Sequence, residues 1–238
     1  MRLQLSSAVF YLFCSVCPLP ALDQPAGHSA PIVIGFVGGR VGRTNAIHSE
    51  VQLADRLRRD YPSGLQVRMF ENRNGSQARH EILQMLDDNR DGQLSSAEKT
   101  SARIAIYGHS WGASETVTLA RKLGKDGIPV LLTIQVDSVA KLGEDDGRIP
   151  ANVAQAINFF QSDGLLHGRS HIRADDPSRT RILGNFRFDY KTHPVDCSAY
   201  PWYARIFMKP HIEIESDPSV WQRVESLIRS KLQDLDTR

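Results

Sequence analysis

Apolar residues follow two alternating patterns along the chain. Consecutive or every-second apolar residues predict strands, in the segments 31–39, 65–70, 103–107, 129–136, 151–160 and 181–190. Apolar residues spaced three or four positions apart predict helices with one buried face, in the segments 47–60, 78–86, 114–123 and 218–232. Strands that alternate with helices predict an α/β fold, with a mostly parallel sheet and helices on both faces.

The same pattern bears on domain organisation. Residues 161–180 are polar and irregular, which is typical of a segment that crosses the surface. The chain shows no internal repeat, and its 238 residues suit one domain of this class. We therefore predict a single α/β domain over residues 31–238.

The N-terminal segment has a different character. Arg2 precedes a short apolar core, which prolines and small residues end at 18–21. This order predicts a secretory signal peptide over 1–21 and a flexible lead-in over 22–30. Export would make the protein secreted or periplasmic, with no stable membrane span in the mature chain. A lipid anchor at Cys17 and a buried or frayed strand are the alternatives.

Charge and cysteine content narrow the possible functions. The 29 basic and 27 acidic residues give a net charge of +2, and no long basic run is present. We therefore expect no nucleic-acid partner. Three cysteines are too few for a disulfide scaffold. Removal of the signal peptide would leave Cys197 alone, so no internal disulfide is expected in the mature chain.

A nucleophile motif lies between a predicted strand and a predicted helix. Residues 108–112 read Gly-His-Ser-Trp-Gly, which matches G-x-S-x-G. In a strand–turn–helix setting the serine occupies a strained turn, and the flanking glycines avoid clashes with the neighbouring strand and helix. The motif therefore predicts that the Ser110 hydroxyl projects at the carboxyl end of the sheet.

On this motif and the order of elements, residues 31–232 resemble the α/β-hydrolase family, including its lipase- and thioesterase-like members. The resemblance implies a nucleophile, an acid and a histidine base in that chain order, with Ser110 as the nucleophile. It also implies that the amide of Trp111 helps to bind the oxyanion. The second oxyanion donor would come from the loop after the first strand, where Gly39 and Arg40 lie.

The resemblance implies that the general base is a histidine late in the chain. His211 fits best, because it lies just before the final helix, and His193 is the reserve. The other histidines that follow the motif's helix are His167 and His171.

The acid stays open among three aspartates. Asp137 is favoured because it ends the strand that follows the nucleophile, where its carboxylate can reach the imidazole. Asp163 fits a position one strand later, and Asp189 is a third candidate.

A second motif occupies residues 87–98. It matches D-x-[DN]-x-[DN]-G-x₅-E at every position and resembles the loop of the EF-hand family. The resemblance implies one bound Ca²⁺ with ligands from Asp87, Asn89, Asp91, Gln93, Ser95 and Glu98. The exiting helix is short and no second EF-hand is present, so we expect a structural ion. The alternative is a polar turn followed by a helix cap.

These motifs together predict a serine hydrolase that cleaves a small-molecule ester or thioester. Ser110, His211 and Asp137 would form its triad, with one calcium ion as the cofactor. The rival hypothesis is an inactive calcium-binding module built on the same scaffold.

Overall fold

The computed structural model describes residues 30–233. The predicted signal peptide, 1–21, lies outside this range, as does the lead-in except for Ala30. The strands are β1 Ile32–Val37, β2 Gln66–Glu71, β3 Ile104–His109, β4 Val130–Val136, β5 Arg148–Ile149, β6 Val153–Gln161, β7 Arg173–Ala174 and β8 Arg181–Phe188. The helices are α1 Ser49–Asp60, α2 Gly75–Leu86, α3 Ser96–Thr100, α4 Trp111–Lys125, α5 Trp202–Phe207, α6 Lys209–Ser216 and α7 Pro218–Gln233.

The apolar runs form one sheet of six strands in the order β2-β1-β3-β4-β6-β8. Every pairing in this sheet is parallel. Helices cover both faces of the sheet, so the predicted α/β class with a mostly parallel sheet is confirmed. None of the helices described within residues 30–233 is long and apolar enough to span a membrane.

Alternating side chains of β1 divide the core between the two faces. Ile32, Ile34 and Phe36 pack with the apolar residues of α2 and α4. Val33 and Val37 point to the opposite face, where they pack with those of α1 and α7. Both faces of a central strand are therefore buried, which explains why its sequence reads as a continuous apolar run.

The strand order places a switch point between β1 and β3. The chain passes from β1 to β2 on one side and then returns to add β3 on the other side of β1. The loops that follow β1 and β3 consequently leave the sheet side by side and diverge. Open α/β sheets bind their ligands at such a position, beyond the carboxyl ends of the strands.

Several predicted boundaries differ from the structure. Helix α4 begins at Trp111, three residues before the predicted start, because the turn at Ser110 leads directly into it. Helix α1 begins at Ser49, and Ile47 lies before it with 43% of its surface exposed. The polar segment 161–180 contains the short strand β7, which pairs with β5. The helices α5 and α6 were not predicted.

Helix α4 packs closely on the sheet at Gly112. A methyl group on its α-carbon would lie 2.4 Å from the carbonyl oxygen of Phe36. Alanine would otherwise stabilise a helix by roughly 0.5–1 kcal/mol relative to glycine. We expect Gly112→Ala to lower the free energy of unfolding by about 1–3 kcal/mol instead, because a rigid backbone must move.

Urea denaturation of Gly112→Ala would measure this change. Gly42→Ala is the matched control, since a methyl group there would meet no atom within 4 Å. An unchanged or increased stability of Gly112→Ala would contradict the close packing.

Candidate active site

Ser110 occupies the sharp turn between β3 and α4. Its φ is 57° and its ψ is −125°, a conformation that a residue with a side chain rarely adopts. Two glycines make the turn possible, since a methyl group on Gly108 would lie 2.6 Å from the backbone of Gly112. The amide of Ser110 donates to the carbonyl of Val136 at 3.0 Å, which ties the turn to β4.

Helix α6 brings His211 to the hydroxyl of Ser110. The Nε2 atom of His211 lies 2.9 Å from Ser110 Oγ, and its Nδ1 atom lies 2.6 Å from Asp137 Oδ2. A carboxylate only accepts, so Nδ1 carries the hydrogen and Nε2 is free to accept from the Ser110 hydroxyl. All three residues are buried, with Ser110 7% exposed and His211 4% exposed.

The carboxylate of Asp137 is held from several directions. Its Oδ1 atom accepts from the amides of Gln161 at 3.1 Å and Gly168 at 2.9 Å. Its Oδ2 atom accepts from the side-chain amide of Gln161 at 2.8 Å, in addition to His211. These donors fix the orientation of the carboxylate toward His211. Gln161 was not among the predicted site residues. The sign that could have pointed to it is its place as a polar residue at the end of an apolar strand.

Gly168 is a second residue that sequence reasoning did not find. A methyl group at this position would lie 2.3 Å from the carbonyl carbon of Asp137, so the loop that contains Gly168 approaches the backbone directly. Asp137 itself has a φ of 44° at the end of β4. The strained end of the strand and the glycine loop together enclose the carboxylate.

The alternative acids lie away from His211. Asp163 Oδ1 pairs with Arg187 at 3.1 Å, and its Oδ2 atom accepts from the amide of Tyr190. Asp189 is exposed and accepts from the amide of Lys191, which lowers its pKa.

The alternative bases also make contacts elsewhere. His193 is exposed and lies 2.8 Å from the Thr192 hydroxyl through its Nδ1 atom. His171 contacts Asn185, and His167 is an exposed residue of the loop before Gly168.

The predicted oxyanion donors lie on the loops that follow β1 and β3. A methyl group on Gly38 would lie 3.0 Å from Ser110 Cβ, so the β1 loop passes directly beside the serine. Gly39 has a φ of 47°, and Arg40 is exposed. The amides of Gly39, Arg40 and Trp111 donate no hydrogen bond to any residue within 30–233. They are therefore free to donate to a ligand.

The parallel sheet, the switch point and the turn at Ser110 define the fold. It is α/β-hydrolase-like.

Three solved structures are similar to this chain. A cutinase-like protein from Cryptococcus sp. has a TM-score of 0.43 and 12% identity, over 86% of this chain and 97% of its own. A protein from Pectobacterium atrosepticum described as a YdeN-like hydrolase has a TM-score of 0.38 and 14% identity, over 86% and 94%. Human thioesterase 2 has a TM-score of 0.36 and 10% identity, over 79% and 99%. No protein-family model and no curated protein matches the sequence.

A second group of buried polar residues lies behind Ser110 and His211. His109 Nε2 lies 3.2 Å from the backbone carbonyl of His211, and the two rings are 4.5 Å apart. Burial lowers the pKa of His109 to about 4, so its ring is neutral at pH 7. On its other side, His109 Nδ1 lies 3.4 Å from Glu215 Oε2. Glu215 also contacts His48 through its other carboxylate oxygen.

Two glutamates in this group have opposite pKa shifts. Burial, followed by the nearby Glu215, raises the pKa of Glu50 well above its ordinary value. Burial would also raise the pKa of Glu215, but His109 and His48 outweigh it and lower the pKa. Sequence analysis gave no sign of this group, because His48 and Glu50 resemble ordinary polar residues at the start of a helix.

The first half of the predicted calcium loop is closed by its own hydrogen bonds. The carboxylate of Asp87 accepts from the amides of Asp91 at 3.2 Å and Gly92 at 2.9 Å. Asn89 Oδ1 also accepts from the Asp91 amide, and Asp91 Oδ1 accepts from the Gln93 amide at 2.8 Å. These bonds bring the side-chain oxygens of Asp87, Asn89 and Asp91 to the same turn of the backbone.

The second half forms the helix cap named as the alternative. Ser95 Oγ accepts from the Glu98 amide at 3.2 Å, while Glu98 Oε2 accepts from the Ser95 amide at 2.8 Å. Glu98 Oε1 accepts from the Asp88 amide at 3.0 Å, so this carboxylate already reaches both halves of the loop. The hydrogen bonds from Ser95 lower the pKa of Glu98.

The chemical nature of these donors suits calcium, but their positions do not surround a single point. Carboxylate, amide and hydroxyl oxygens are the ligands that calcium prefers. The carboxylates of Asp87, Asp91 and Glu98 do not meet at one point, however, within the part of the chain that the structure describes. Glu98 would have to exchange its bonds to Ser95 for an ion.

An exposed apolar surface lies just before the helix that carries His211. Helix α5, which precedes α6, exposes Trp202, Tyr203, Ile206 and Phe207, each by more than half of its surface. These four side chains are therefore not part of the core. A cleft of about 660 Å³ lies beside the predicted calcium loop, and Ser110 is not among its lining residues.

The hydrogen bond between His211 and Asp137 gives a spectroscopic prediction. Its length of 2.6 Å is short for an N–H···O bond, so we expect the Nδ1 proton of His211 to resonate far downfield in the ¹H NMR spectrum. The signal should disappear in Asp137→Ala. It should persist in Asp163→Asn, and loss of the signal in that control instead would show that Asp163 is the partner.

Proposed function

We propose that this protein is a serine hydrolase that cleaves an ester or thioester. The observation that carries the proposal is the position of His211, whose two ring nitrogens contact Ser110 and Asp137. A nucleophile bonded to a base, which is itself oriented by an acid, is the arrangement that activates a serine for acyl transfer.

The proposed reaction proceeds through an acyl-enzyme. Ser110 Oγ attacks the carbonyl carbon of the substrate as its proton passes to His211 Nε2. The protonated imidazole then donates this proton to the leaving alcohol or thiol. Water, deprotonated by His211, attacks the acyl-serine, and the imidazolium returns this proton to Ser110 Oγ as the acid leaves. Asp137 holds the required tautomer and stabilises the imidazolium while it exists.

The developing oxyanion needs donors that are fixed before the reaction begins. We assign this role to the free amides of Trp111 and of Gly39 or Arg40. The close approach of the β1 loop to Ser110 supports the assignment, because it puts the amides that follow Gly38 near the nucleophile.

The substrate's apolar part has exposed side chains to contact. Leu165 is fully exposed, and the neighbouring Gly164 lies against Pro210, next to His211. The exposed aromatic residues of α5 lie immediately before the same helix. Within residues 30–233, α5 is the single helix between β8 and α6, and so short a connection favours small or soluble acyl substrates.

A fluorophosphonate probe tests the proposed nucleophile. We expect the probe to label the folded protein and Ser110→Ala to abolish the labelling. Hydrolysis of p-nitrophenyl esters should fall by about four to six orders of magnitude in the same variant. Ser162→Ala is the control, since Ser162 is an exposed serine and the ring nitrogens of His211 bond to Ser110 and Asp137 instead.

The acid is tested by the same assay. Asp137→Asn should reduce turnover by about 10⁴, because the amide would favour the wrong histidine tautomer, while Asp163→Asn should retain activity. A folded protein that neither binds the probe nor cleaves any ester of the series would leave the rival hypothesis, an inactive binding module. A comparison of hydrolysis rates across p-nitrophenyl esters of increasing acyl-chain length would identify the preferred acyl group.

We also propose that residues 87–98 bind one structural calcium ion. Asp87, Asn89 and Asp91 would supply side-chain oxygens, Gln93 its carbonyl oxygen, Ser95 its hydroxyl and Glu98 a bidentate carboxylate. The ion would fix the loop between α2 and α3, shortly before the strand that ends at Ser110. Millimolar affinity would suffice in the exported location that the predicted signal peptide implies.

Removal of calcium should destabilise the protein. We expect EGTA to lower the melting temperature, because an ion that binds only the folded chain adds to its stability. Glu98→Gln should remove the difference between calcium and EGTA, whereas Glu81→Gln, at a half-buried residue of α2 that pairs with Arg68 outside the loop, should preserve it. Identical melting curves of the wild-type protein in calcium and in EGTA would refute the site.

A further inference from the structure

Three buried side chains converge behind the candidate active site. His48 and Glu50 come from the start of α1, and Glu215 comes from α6. One ligand atom of each, a ring nitrogen or a carboxylate oxygen, lies within 4.8 Å of the other two. The three residues are only 8%, 0% and 3% exposed, so water does not solvate their charges.

The carboxylate of Glu50 is incompletely satisfied. Its Oε1 atom accepts from the Gly38 amide at 3.4 Å, but its Oε2 atom is buried and has no hydrogen-bond donor. No lysine or arginine within residues 30–233 pairs with Glu50 or Glu215. Two buried carboxylates in such surroundings, with histidines as their basic neighbours, carry a large desolvation cost.

The neighbouring His109 extends this cluster. Its Nδ1 atom lies 3.4 Å from Glu215 Oε2, so a second imidazole lies beside the carboxylate that His48 contacts.

We propose that His48, Glu50 and Glu215 bind one divalent transition-metal ion, of which Zn²⁺ is the best-fitting probe. Imidazole nitrogen and carboxylate oxygen are zinc ligands, and three protein ligands leave a fourth position for a water or for His109. The ion compensates both carboxylates and gives the free oxygen of Glu50 a partner. It is separate from the predicted calcium loop, whose ligands are all oxygen atoms.

The proposed ion has a structural role in the site. Glu50 holds the amide of Gly38, which lies beside Ser110, and Glu215 lies one helical turn after His211. An ion that fixes both glutamates therefore fixes the β1 loop and the α6 helix relative to each other. No reaction step passes through it.

A proton shared between Glu50 and Glu215 is the competing account. It would also neutralise one carboxylate, but it predicts no affinity for metal. The isosteric variant Glu50→Gln separates the two accounts. Under a shared proton the amide replaces a protonated acid and leaves stability unchanged or higher. Under a metal site it removes a charged ligand.

The experiment uses the full-length protein, stripped of metals with EGTA and 1,10-phenanthroline and then freed of both chelators. ZnCl₂ is titrated by calorimetry in millimolar calcium, which keeps the calcium loop from competing. We expect one zinc ion per chain and a higher melting temperature with zinc. His48→Gln and Glu50→Gln should each weaken zinc binding by at least about tenfold. His193→Gln, at an exposed histidine, and Glu98→Gln, in the calcium loop, should bind zinc like the wild type.

Circular dichroism would show whether each variant folds, and Glu50→Gln decides if His48→Gln does not. The proposal is overturned if the folded wild-type protein takes up no zinc, or if both cluster variants bind zinc unchanged. These readouts do not depend on esterase activity, so they remain informative even if Ser110 proves inert.

Discussion

The left-handed turn at Ser110 is the constraint on which the site depends. A residue with a φ of 57° stores strain, and the strain persists only because the surrounding structure leaves no alternative. Gly112 lets α4 approach the backbone of β1, and Gly108 lets the turn close on itself. The same contacts set where the serine hydroxyl points and where the first amides of α4 lie. The position of the Ser110 hydroxyl and the placement of the nearby amide donors thus both follow from this backbone packing.

The same kind of strained backbone conformation follows the neighbouring strand, β4. Asp137 directly follows β4 with a φ of 44°, and its carboxylate is enclosed by donors from Gln161 and Gly168. Because β3 and β4 are parallel neighbours, Ser110 and Asp137 leave the same edge of the sheet. A helix that crosses this edge can contact both, and α6 does so through His211. The arrangement needs only one side chain from outside the sheet.

The features that could be predicted from the sequence are those that a local pattern of residues determines. The turn at Ser110 follows from five consecutive residues, and the parallel sheet follows from alternating apolar periods. The selection of His211 and Asp137 depended on resemblance, since nothing local joins residues 74 positions apart. Gln161 and Gly168 were missed because their contacts with Asp137 also form only in the folded chain. Helix α6 was missed because its apolar residues alternate with polar ones, a period typical of strands.

The polar cluster behind the site shows why burial cannot be inferred from residue type alone. Glu50 and Glu215 would be expected on the surface, yet both are buried beside residues that the site requires. His109 adjoins Ser110 in sequence and contacts the carbonyl of His211, so it connects the buried polar cluster to the candidate active site. A rearrangement that relieved the buried charges would therefore move the serine turn, the β1 loop or α6. Whatever neutralises these carboxylates thereby also holds the nucleophile and its base in register.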